Sequence, residues 1–428
     1  MTSNPRVTPP ARLVVVGQGY VGLPLAMRAV EVGFDVTGVD TDVRRLEFLR
    51  EGQSYIEDVP DAALAAARAS GRYALLSGEE RLPEFDVAVI TVPTPLREGN
   101  PDLSYIEAAA RRLGEALRPG VTVILESTTY PGTTTELVGP LLREMSGLEP
   151  GVDFHLGYSP ERIDPGNQVW TFATTPKVVS GVNADSLAAV QAFYNTLVAE
   201  TVPVAGVAEA ELAKLLENTF RHVNIALVNE LAIFAADLGI DLWESIRAAS
   251  TKPFGFMAFT PGPGVGGHCL PIDPSYLSWR VRRRLGYSFR FVELANDVNE
   301  HMPDYVVRRT TVALNRLRKP VRDSHVLLLG LSYKRNTGDA RESPSLVVIE
   351  RLLALGARVS AADPYVREDQ VDPAVHRVEA TPEVAAGADA VILLTDHDVF
   401  DIPALAEVSS CFLDTRHRAP ALETVEYL

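Results

Sequence analysis

A glycine-rich turn near the N-terminus constrains the fold more than any other feature of the sequence. An apolar run over 13–16 leads into 17–22, which reads Gly-Gln-Gly-Tyr-Val-Gly, and a helical pattern follows over 23–32. A second short strand pattern ends in Asp40. In such a unit the first glycine permits the tight turn, the second lets the backbone approach a pyrophosphate, and the third allows close helix packing. The predicted cofactor contacts of this turn are Gly17, Gly19, Tyr20, Val21 and Gly22.

The acidic residue at the end of the second strand selects between the two nicotinamide dinucleotides. Asp40 is placed to accept a hydrogen bond from the 2′-hydroxyl of the adenosine ribose, and its charge would repel a 2′-phosphate. The pyrophosphate would lie at the N-terminus of the first helix, where free amides and the helix dipole favour an anion. We therefore expect NAD rather than NADP. The alternative is a glycine-rich turn in an unrelated α/β protein.

Strands and helices continue to alternate after this unit. Apolar strand patterns cover 86–91 and 121–125, and helical patterns cover 104–117 and 133–146. Alternation of this kind predicts a doubly wound parallel sheet, which binds ligands beyond the carboxyl ends of its strands. The hydroxyl residues that follow these two strands are expected to face the nicotinamide, with helix or turn capping as the alternative. They are Thr94, Ser127 and Thr128.

The last third of the chain repeats this outline without the full fingerprint. Strand patterns over 325–329, 358–361 and 390–394 flank a helical pattern over 345–355, and the turn 330–334 carries one glycine. A doubly wound unit that lacks the three-glycine turn can still bind a nucleotide. We therefore predict a second Rossmann-like unit that holds the nucleotide part of the substrate.

A long helical pattern over 206–238 lies between the two units. Lys214 and Asn218 are four residues apart on it and therefore share a face. An ammonium and an amide together can polarise an oxygen, although a lysine on a helix is more often an ordinary surface residue. The apolar face of this helix has no evident partner in the chain. We therefore expect a homodimer built on it.

Cys269 is one of only two cysteines, and glycines precede it in the run 263–273, which reads Pro-Gly-Val-Gly-Gly-His-Cys-Leu-Pro-Ile-Asp. Glycines let a backbone approach a ligand closely, and a thiolate is a strong nucleophile. Together with a nicotinamide cofactor, this thiol predicts oxidation through a covalent thiohemiacetal. The alternative is a small buried side chain beside a turn.

Composition excludes several other classes of protein. The net charge of −16 argues against a nucleic-acid partner. Two cysteines cannot form a disulfide framework, so we expect a reducing, cytoplasmic compartment. No run of about 18 apolar residues occurs, so no membrane span or membrane partner is predicted. The first residues are polar and proline-rich, and we expect a disordered lead-in there.

Several ordered motifs resemble those of the UDP-glucose/GDP-mannose dehydrogenase family, from about Leu13 to Arg418. Within that family, the stretch 251–274 looks most like the UDP-N-acetylglucosamine 6-dehydrogenase branch. Besides the Cys269 run, the motifs lie at 17–26, 126–134, 158–162, 210–218, 330–334 and 339–344.

The resemblance implies an α/β protein with two Rossmann-like doubly wound domains joined by a long-helix central domain. The expected limits are a disordered lead-in over 1–11, an NAD-binding Rossmann domain over 12–205, a central helical dimerisation domain with the catalytic cysteine loop over 206–318, and a UDP-sugar-binding Rossmann-like domain over 319–428.

The resemblance also implies a four-electron oxidation of the C6 alcohol of a UDP-sugar to the carboxylate, through a Cys269 thiohemiacetal and thioester, with NAD as cofactor and no metal. By similarity, the catalytic residues are Cys269, Lys214, Asn218, Asp273, Glu161 and Thr128. Further cofactor contacts are Asp40, Arg45, Thr94, Thr128 and Arg341. Substrate contacts are Glu161, Arg162, Lys214, Asn218, Phe259, Gly266, Lys334 and Arg416.

One position departs from the UDP-glucose branch, and alternatives stay open. That branch has a second glutamate four residues after Glu161, where this chain has Pro165. This favours UDP-N-acetylglucosamine over UDP-glucose, with UDP-N-acetylmannosamine a further alternative. A two-electron β-hydroxyacid-type dehydrogenase and a non-catalytic NAD-binding protein are the remaining possibilities.

Overall fold

The computed structural model describes residues 7–56, 58–97, 99–163, 167, 169–267 and 270–428. The chain divides into two compact units, Met1–Glu217 and Asn218–Leu428. A 32-residue helix, Val207–Leu238, begins in the first unit and ends in the second.

The first unit contains an eight-stranded sheet with helices on both faces, and a separate two-stranded sheet formed by residues 96–97 and 100–101. Its strands are β1 (Arg12–Val16), β2 (Asp35–Asp40), β3 (Tyr73–Ser77), β4 (Val87–Ile90), β5 (Leu96–Arg97), β6 (Asn100–Pro101), β7 (Thr122–Leu125), β8 (His155–Tyr158), β9 (Lys177–Gly181) and β10 (Thr201–Pro203). Its helices are α1 (Gly22–Glu31), α2 (Val43–Glu51), α3 (Asp61–Ala69), α4 (Ser104–Glu115), α5 (Gly139–Ser146), α6 (Ala184–Tyr194) and the start of α7 (Val207–Leu238). A π-helical turn, Thr134–Val138, precedes α5.

The strand order of this unit is that of a dinucleotide-binding fold. The sheet runs β10-β9-β8-β7-β4-β1-β2-β3, so six of its strands have the 3-2-1-4-5-6 order. Among the described strands of this sheet, β8 and β9 form the one antiparallel pair. The central strand β4 is apolar along its whole length and fully buried, because helices cover both faces of the sheet. The predicted doubly wound sheet is confirmed, with an antiparallel junction that the sequence pattern did not indicate.

The start of the chain differs from the disordered lead-in expected over 1–11. Residues 1–6 lie outside the described part, but Val7 and Ala11 are buried in the core of the first unit. The carbonyl oxygen of Ala11 also accepts the backbone N–H of Asp35 at 3.1 Å. Residues 7–11 are therefore packed, because the apolar side chains of Val7 and Ala11 are buried in the core of this unit.

The second unit combines helices with a second parallel sheet. Its helices are the remainder of α7, α8 (Leu242–Ser250), α9 (Asp273–Leu285), α10 (Arg290–Arg316), α11 (Pro344–Ala354), α12 (Pro382–Ala386) and α13 (Ile402–Val408), with a 3₁₀ turn at Glu368–Gln370. Its strands are β11 (His325–Leu329), β12 (Arg358–Ala362), β13 (His376–Arg377), β14 (Ala390–Leu393), β15 (Phe412–Asp414) and β16 (Val425–Tyr427).

This second sheet repeats the topology of the first. Its order is β13-β12-β11-β14-β15-β16, again 3-2-1-4-5-6, and its five strand pairs are parallel. Between the two sheets along the chain lie the long helices α7 to α10. The prediction of two Rossmann-like units separated by a helical segment is confirmed. Within the described residues, no helix is long and apolar enough to cross a membrane.

Candidate active site

The glycine turn after β1 adopts the conformation that its sequence predicts. Gly17 has φ +99°, and its N–H donates to the carbonyl of Val39 at 2.7 Å. A β-carbon on Gly22 would lie 1.9 Å from the carbonyl oxygen of Gly17, so only glycine fits where α1 begins. A β-carbon on Gly19 would have Arg45 Nη1, 3.9 Å away, as its nearest described neighbour. The turn therefore leaves open space at Gly19, where a pyrophosphate could approach.

Asp40 lies at the carboxyl end of β2 and orders the turn beside it. Its Oδ2 accepts the N–H of Gln18 at 2.8 Å, and its Oδ1 accepts the N–H of Asp42 at 2.9 Å. Arg45 Nη1 lies 3.6 Å from Asp40 Oδ2. Tyr20 and Val21 are half-buried in the turn. A glycine turn with open space and an acid at the end of the neighbouring strand fits NAD.

Gln18 supports this turn, and the sequence did not indicate its role. The side chain is fully buried, and its amide donates to the carbonyl of Val15 at 3.0 Å. The hydroxyl of Tyr55 donates to its backbone carbonyl at 2.5 Å, and that of Tyr73 to its Oε1 at 2.7 Å. These tyrosines come from distant parts of the chain, so no local pattern could have predicted the contacts.

The hydroxyl residues after β4 and β7 separate into two kinds. Thr94 and Thr128 are half-buried. Ser127 is buried, and its hydroxyl donates to the carbonyl of Val92 at 2.8 Å. Ser127 therefore ties two loops together, whereas Thr94 and Thr128 stay candidates for contact with a cofactor or substrate.

Glu161 lies in a buried cluster with Lys177, Glu126 and Tyr194. Its Oε2 accepts a hydrogen bond from Lys177 Nζ at 3.0 Å, and Lys177 also donates to Glu126. The Tyr194 hydroxyl donates to the second oxygen of Glu126 at 2.6 Å. Burial raises the pKa of Glu126 to about 8, although the charge of Lys177 opposes the shift. Burial also acts against the charged form of Glu161, but Lys177, a hydrogen bond with Glu126 and the charge of Lys214 together keep the pKa of that carboxyl below its usual value.

Lys214 and Arg162 are charged residues near Glu161. Lys214, on α7, is buried, and its charge helps to lower the pKa of Glu161. Arg162 Nη2 lies 2.8 Å from Glu217 Oε1, and its Nη1 donates to the carbonyl of Pro176 at 2.8 Å. The structure therefore places Lys214 close enough to Glu161 for their charges to interact. Arg162, the next residue after Glu161, is held by Glu217 and the carbonyl of Pro176.

A buried carboxylate on α7 holds the loop that follows Thr128. Glu211 Oε2 accepts the N–H of Gly132 at 2.6 Å, and its Oε1 accepts the N–H and hydroxyl of Thr134 at 2.9 and 2.7 Å. The side chain is fully buried, and burial raises its pKa to about 6. The sequence offers no signal for this contact beyond an acid on an apolar stretch of helix.

In the second unit, Asn218 and Asp273 meet directly. Asn218 Nδ2 donates to Asp273 Oδ2 at 2.5 Å. Asp273 is the first residue of α9 and is 3% exposed. Since Asp273 orients the amide of Asn218, the two predicted site residues form one polar unit.

The glycine loop over 262–267 packs against the segment that follows β11. A β-carbon on Gly266 would lie 2.7 Å from the carbonyl oxygen of Glu342 and 2.8 Å from Tyr333 Cβ. Gly267 donates its N–H to the carbonyl of Arg341 at 3.3 Å. The Arg341 guanidinium is half exposed and forms two hydrogen bonds with Asp339, at 2.8 and 2.6 Å. The loop thus brings Gly266 to the segment that carries Lys334 and Arg341.

Arg416 and Phe259 lie at other points near the same loop. Arg416 follows β15, its Nε donates to the carbonyl of Leu394 at 2.7 Å, and its Nη1 lies 3.0 Å from the β-carbon position of Gly262. The ring of Phe259 packs edge-to-face on Phe220 with centroids 5.8 Å apart. Arg416 therefore lies beside the start of the loop, and Phe259, which precedes the loop, packs on an aromatic residue of α7.

A polar network that the sequence did not indicate holds the start of the loop over 262–267. Asn229 Oδ1 accepts the N–H of Gly262 at 2.9 Å, and Asn229 Nδ2 donates to Asn299 Oδ1 at 2.9 Å. His222 Nε2 lies 2.7 Å from Asn296 Oδ1. Because these residues come from α7 and α10, only the packed helices bring them together.

Cys269 and Pro165 lie outside the described residues, as does His268. The other cysteine, Cys411, is buried, and burial raises the pKa of its thiol to about 11. Cys411 therefore lacks the environment of a nucleophilic thiol.

Comparison with known proteins extends over nearly the whole chain. Models of the NAD-binding, central and UDP-binding domains of the UDP-glucose/GDP-mannose dehydrogenase family match residues 11–198, 208–301 and 327–419. The UDP-N-acetyl-D-mannosamine dehydrogenase of Pyrococcus horikoshii is 36% identical, with 91% of this chain and 90% of the relative covered. The UDP-N-acetyl-D-glucosamine 6-dehydrogenase of Pseudomonas aeruginosa is 37% identical, with 91% of each covered.

Solved structures agree with these sequence relatives. The structure of the Pyrococcus horikoshii UDP-D-ManNAc dehydrogenase superposes with a TM-score of 0.88 at 33% identity, over 97% of this chain and 98% of that one. The family models and the solved structure thus point to the same family of enzymes. The chain belongs to the UDP-glucose/GDP-mannose dehydrogenase family and is an NAD-dependent oxidoreductase of UDP-sugars.

Proposed function

We propose that this enzyme oxidises the C6 alcohol of a UDP-N-acetylhexosamine to the carboxylate, with UDP-N-acetylglucosamine the favoured substrate. The observation that carries the proposal is the glycine loop of the second unit, which leads to Cys269 and lies against the segment bearing Arg341. The two sequence relatives described above are named for N-acetylhexosamine substrates. The stretch 251–274 and Pro165 favour the glucosamine epimer and argue against UDP-glucose.

Each proposed role of the chain follows from the chemistry of the residue. NAD, when bound at the glycine turn, accepts a hydride at each of the two oxidation steps. The Cys269 thiolate adds to the C6 aldehyde and forms the carbon–sulfur bond of a thiohemiacetal, and oxidation of this adduct leaves a thioester. Water then cleaves the carbon–sulfur bond, which releases the carboxylate and restores the thiol.

The surrounding residues stabilise charge and position water. The Lys214 ammonium and the Asn218 amide are proposed to stabilise the negative oxygen on C6. Asp273 holds the Asn218 amide in place, and with Thr128 and Glu161 it is proposed to position the hydrolytic water. Because Glu161 already accepts three hydrogen bonds, we propose that it acts as a fixed, ionised carboxylate.

Cationic and small residues are proposed to bind the rest of the ligands. In the second unit, Lys334 and Arg416 would neutralise the diphosphate of the substrate, and Gly266 and Phe259 would lie along the sugar. Arg162 is proposed as a further substrate contact. Arg341 and Arg45 would meet the phosphate and the adenosine ribose of NAD.

A panel assay tests the substrate and the number of electrons. Purified enzyme is supplied with NAD and, in turn, UDP-N-acetylglucosamine, UDP-N-acetylmannosamine, UDP-glucose and GDP-mannose, and NADH is counted against substrate consumed. We expect two NADH per substrate and the highest kcat/KM with UDP-N-acetylglucosamine. One NADH per substrate would overturn the four-electron reaction, and faster turnover of another sugar would overturn the substrate.

Cys269→Ser tests the covalent route. The variant should nearly abolish formation of the uronic acid and leave the Kd for NAD unchanged, because a serine hydroxyl is a poor nucleophile without a strong base. Cys411→Ser is the matched control and should retain activity. A Cys269→Ser enzyme that releases acid at the normal rate would exclude the thioester.

We further propose a cytoplasmic homodimer with domain limits 12–205, 206–318 and 319–428. Exposed apolar side chains follow one side of α7 in the second unit at spacings of four and seven residues, and a second copy of the chain is the proposed occupant of this surface. They are Phe220, Leu227, Phe234 and Leu238. Sedimentation at micromolar concentration should give a dimer that Leu227→Glu dissociates. A fully active wild-type monomer would reject this assembly.

A further inference from the structure

We infer that Lys177 is a positioning residue of the active site, whose ammonium group, fixed between Glu126 and Glu161, holds the Glu161 carboxylate in its working orientation. The inference rests on the proposed function, because it concerns the carboxylate that we place beside the hydrolytic water. Lys177 and Glu126 have no role in the reaction as described so far.

The contacts leave the Glu161 carboxylate a single orientation. Its Oε1 accepts the backbone N–H groups of Arg162 and Ile163 at 2.6 and 2.5 Å, and its Oε2 accepts Lys177 Nζ at 3.0 Å. The Lys177 side chain is 4% exposed and that of Glu161 is 11% exposed. Of these three donors, Lys177 is the one side chain, and it comes from β9, a strand that carries no predicted site residue. Glu126 forms a further side-chain hydrogen bond with Glu161.

The cluster costs too much to serve stability alone. Burial of ionised groups carries a large desolvation penalty, and well-packed apolar residues often stabilise a fold as well as or better than a buried ion pair. Here two carboxyl groups and one ammonium are buried together, at the carboxyl ends of β7 and β8 and the start of β9. Ligands bind doubly wound sheets beyond such strand ends. An arrangement of this kind at this edge indicates a functional use.

The second carboxyl sets the charge of the cluster. Glu126 is fully buried and receives the Tyr194 hydroxyl as well as Lys177. Because burial raises the pKa of Glu126 to about 8, this group holds a proton at neutral pH, and the charge of Lys177 remains available to Glu161. The charged and titratable groups around Glu161 are Lys177 from β9, Glu126 after β7, Lys214 from α7 and the adjacent Arg162, which pairs with Glu217.

Removal of Lys177 should therefore have an effect that depends on pH. The charge of Lys177 is the largest effect that opposes burial at Glu161, so the pKa of Glu161 should rise when the ammonium is removed. At pH 7 the carboxyl would then be partly protonated and free to turn. At higher pH it would ionise again, so part of the lost activity should return, which the loss of a merely structural contact would not produce.

The experiment compares Lys177→Met, Lys177→Arg and Glu126→Gln with the wild type in the NADH assay from pH 6 to 9. We expect Lys177→Met to lower kcat at pH 7 by at least about tenfold, which is part of the roughly 10²–10⁴-fold that a positioned acid–base group contributes. The Kd for NAD should not change, and kcat should recover as the pH rises. Lys177→Arg should restore kcat to within about threefold, since it keeps the charge. Glu126→Gln should keep most activity, because it preserves a neutral side chain at that position.

Three results would overturn the inference. They are an unchanged kcat in Lys177→Met, a loss that is equal at every pH, and a loss matched by an equal loss of NAD affinity. If Lys177→Met does not fold, Lys177→Gln, which also removes the charge but keeps a polar side chain, takes its place. An unchanged kcat in that variant, or a loss that is equal at every pH, overturns the inference.

A measurement without substrate separates this inference from the proposed function. The free energy of unfolding is followed against pH in the wild type, Glu161→Gln, Lys177→Met and the double variant, which isolates the titration of Glu161. We expect that titration to move to higher pH without Lys177. If the wild type oxidises no UDP-sugar, the proposed function fails, while a Glu161 that titrates identically with and without Lys177 overturns the inference whatever the substrate result.

Discussion

Gly22→Ala should damage the fold of the first unit, whereas Gly19→Ala should damage only cofactor binding. Both glycines belong to the same fingerprint, so a motif-based argument treats them alike. The structure distinguishes them. A β-carbon at position 22 would lie 1.9 Å from the Gly17 carbonyl oxygen and 2.4 Å from Thr91 Oγ1. At position 19 the nearest described atom is the movable end of Arg45, 3.9 Å away.

The size of the Gly22 effect can be worked out from these contacts. An uncrowded carbon–oxygen contact needs more than 3 Å, so α1 must move from β1 by over about 1 Å, and overpacking of this kind costs about 1–3 kcal/mol. The Thr91 hydroxyl, which donates to the carbonyls of Val16 and Gly17 at 3.0 and 2.9 Å, would lose at least one hydrogen bond, worth about 1 kcal/mol. Alanine's helix propensity returns up to about 1 kcal/mol. The net loss should be about 1–4 kcal/mol, or roughly 2–15 °C in Tm for a unit of this size.

Urea and thermal unfolding of both variants, with NAD titration by fluorescence, checks this reasoning. Gly19→Ala should unfold within about 0.5 kcal/mol of the wild type and still bind NAD at least about tenfold more weakly, because its methyl group occupies space for the pyrophosphate. Equal stability of Gly22→Ala and the wild type would refute the steric argument. A Gly19→Ala enzyme with normal NAD affinity would show that the pyrophosphate of NAD does not occupy the open space at Gly19.

Three further predictions concern single side chains. Glu211 has its pKa raised by burial from 4.5 to about 6, so its contribution to stability is present below pH 4.5 and lost as the pH rises through 6. The stability difference between wild type and Glu211→Gln should therefore fall by roughly 2 kcal/mol from pH 4 to 7 in urea unfolding, and parallel curves would contradict this. Alkylation of the native protein at pH 8, read by mass spectrometry, should modify Cys269 before the buried Cys411, whereas denatured protein should react at both, and earlier labelling of Cys411 would contradict the high pKa of its thiol. Asp40→Ala should raise the Kd for NAD and lower the ratio of the Kd for NADP to the Kd for NAD by at least about tenfold. Titration with both cofactors measures the two constants. An unchanged ratio would show that Asp40 does not select between the cofactors.

Much of the fold could be predicted because its signals are local. The strand expected to end in Asp40 is β2, Asp35–Asp40, and the helix expected over 206–238 is α7, Val207–Leu238. Buried parallel strands read as continuous apolar runs, and a helix without glycine or proline reads as one periodic segment. Predictions of this kind need only neighbouring residues. The same holds for the glycine turn, whose three glycines and acid lie within 24 residues of each other.

The parts that could not be predicted depend on contacts between distant residues. Lys177 meets Glu126 across 51 positions, and Glu211 meets Gly132 across 79. Tyr73 reaches Gln18 across 55. The antiparallel junction of β8 and β9 likewise has no signal in the strand patterns themselves. In each of the three polar contacts, the order of the strands brings together residues that are distant in the sequence. Sequence motifs could therefore indicate candidate site residues, but not the residues that contact them.

Six strands of the first sheet have the same order as the six strands of the second. The two units differ in the hydrogen bonds that the acidic residue after the second strand accepts. In the first unit Asp40 accepts two N–H groups and lies beside an open turn. In the second unit Asp363 occupies the matching place after β12, but it accepts four backbone N–H groups and also meets His397 Nε2 at 2.9 Å. Burial opposes its charge, yet these donors lower its pKa to about 2.

The turn after the first strand of this unit also differs from the glycine turn of the first unit. The first glycine of the turn is retained as Gly330, at φ +84°, because the chain must still reverse closely after β11. The second glycine is replaced by Ser332, which is fully buried and donates to the carbonyl of Lys334 at 2.7 Å. With Asp363 bonded to His397 and a serine at the place of the second glycine, the second unit lacks the acid and the open turn that fit NAD in the first. The same strand order therefore remains available for the different nucleotide that the UDP-binding domain accepts.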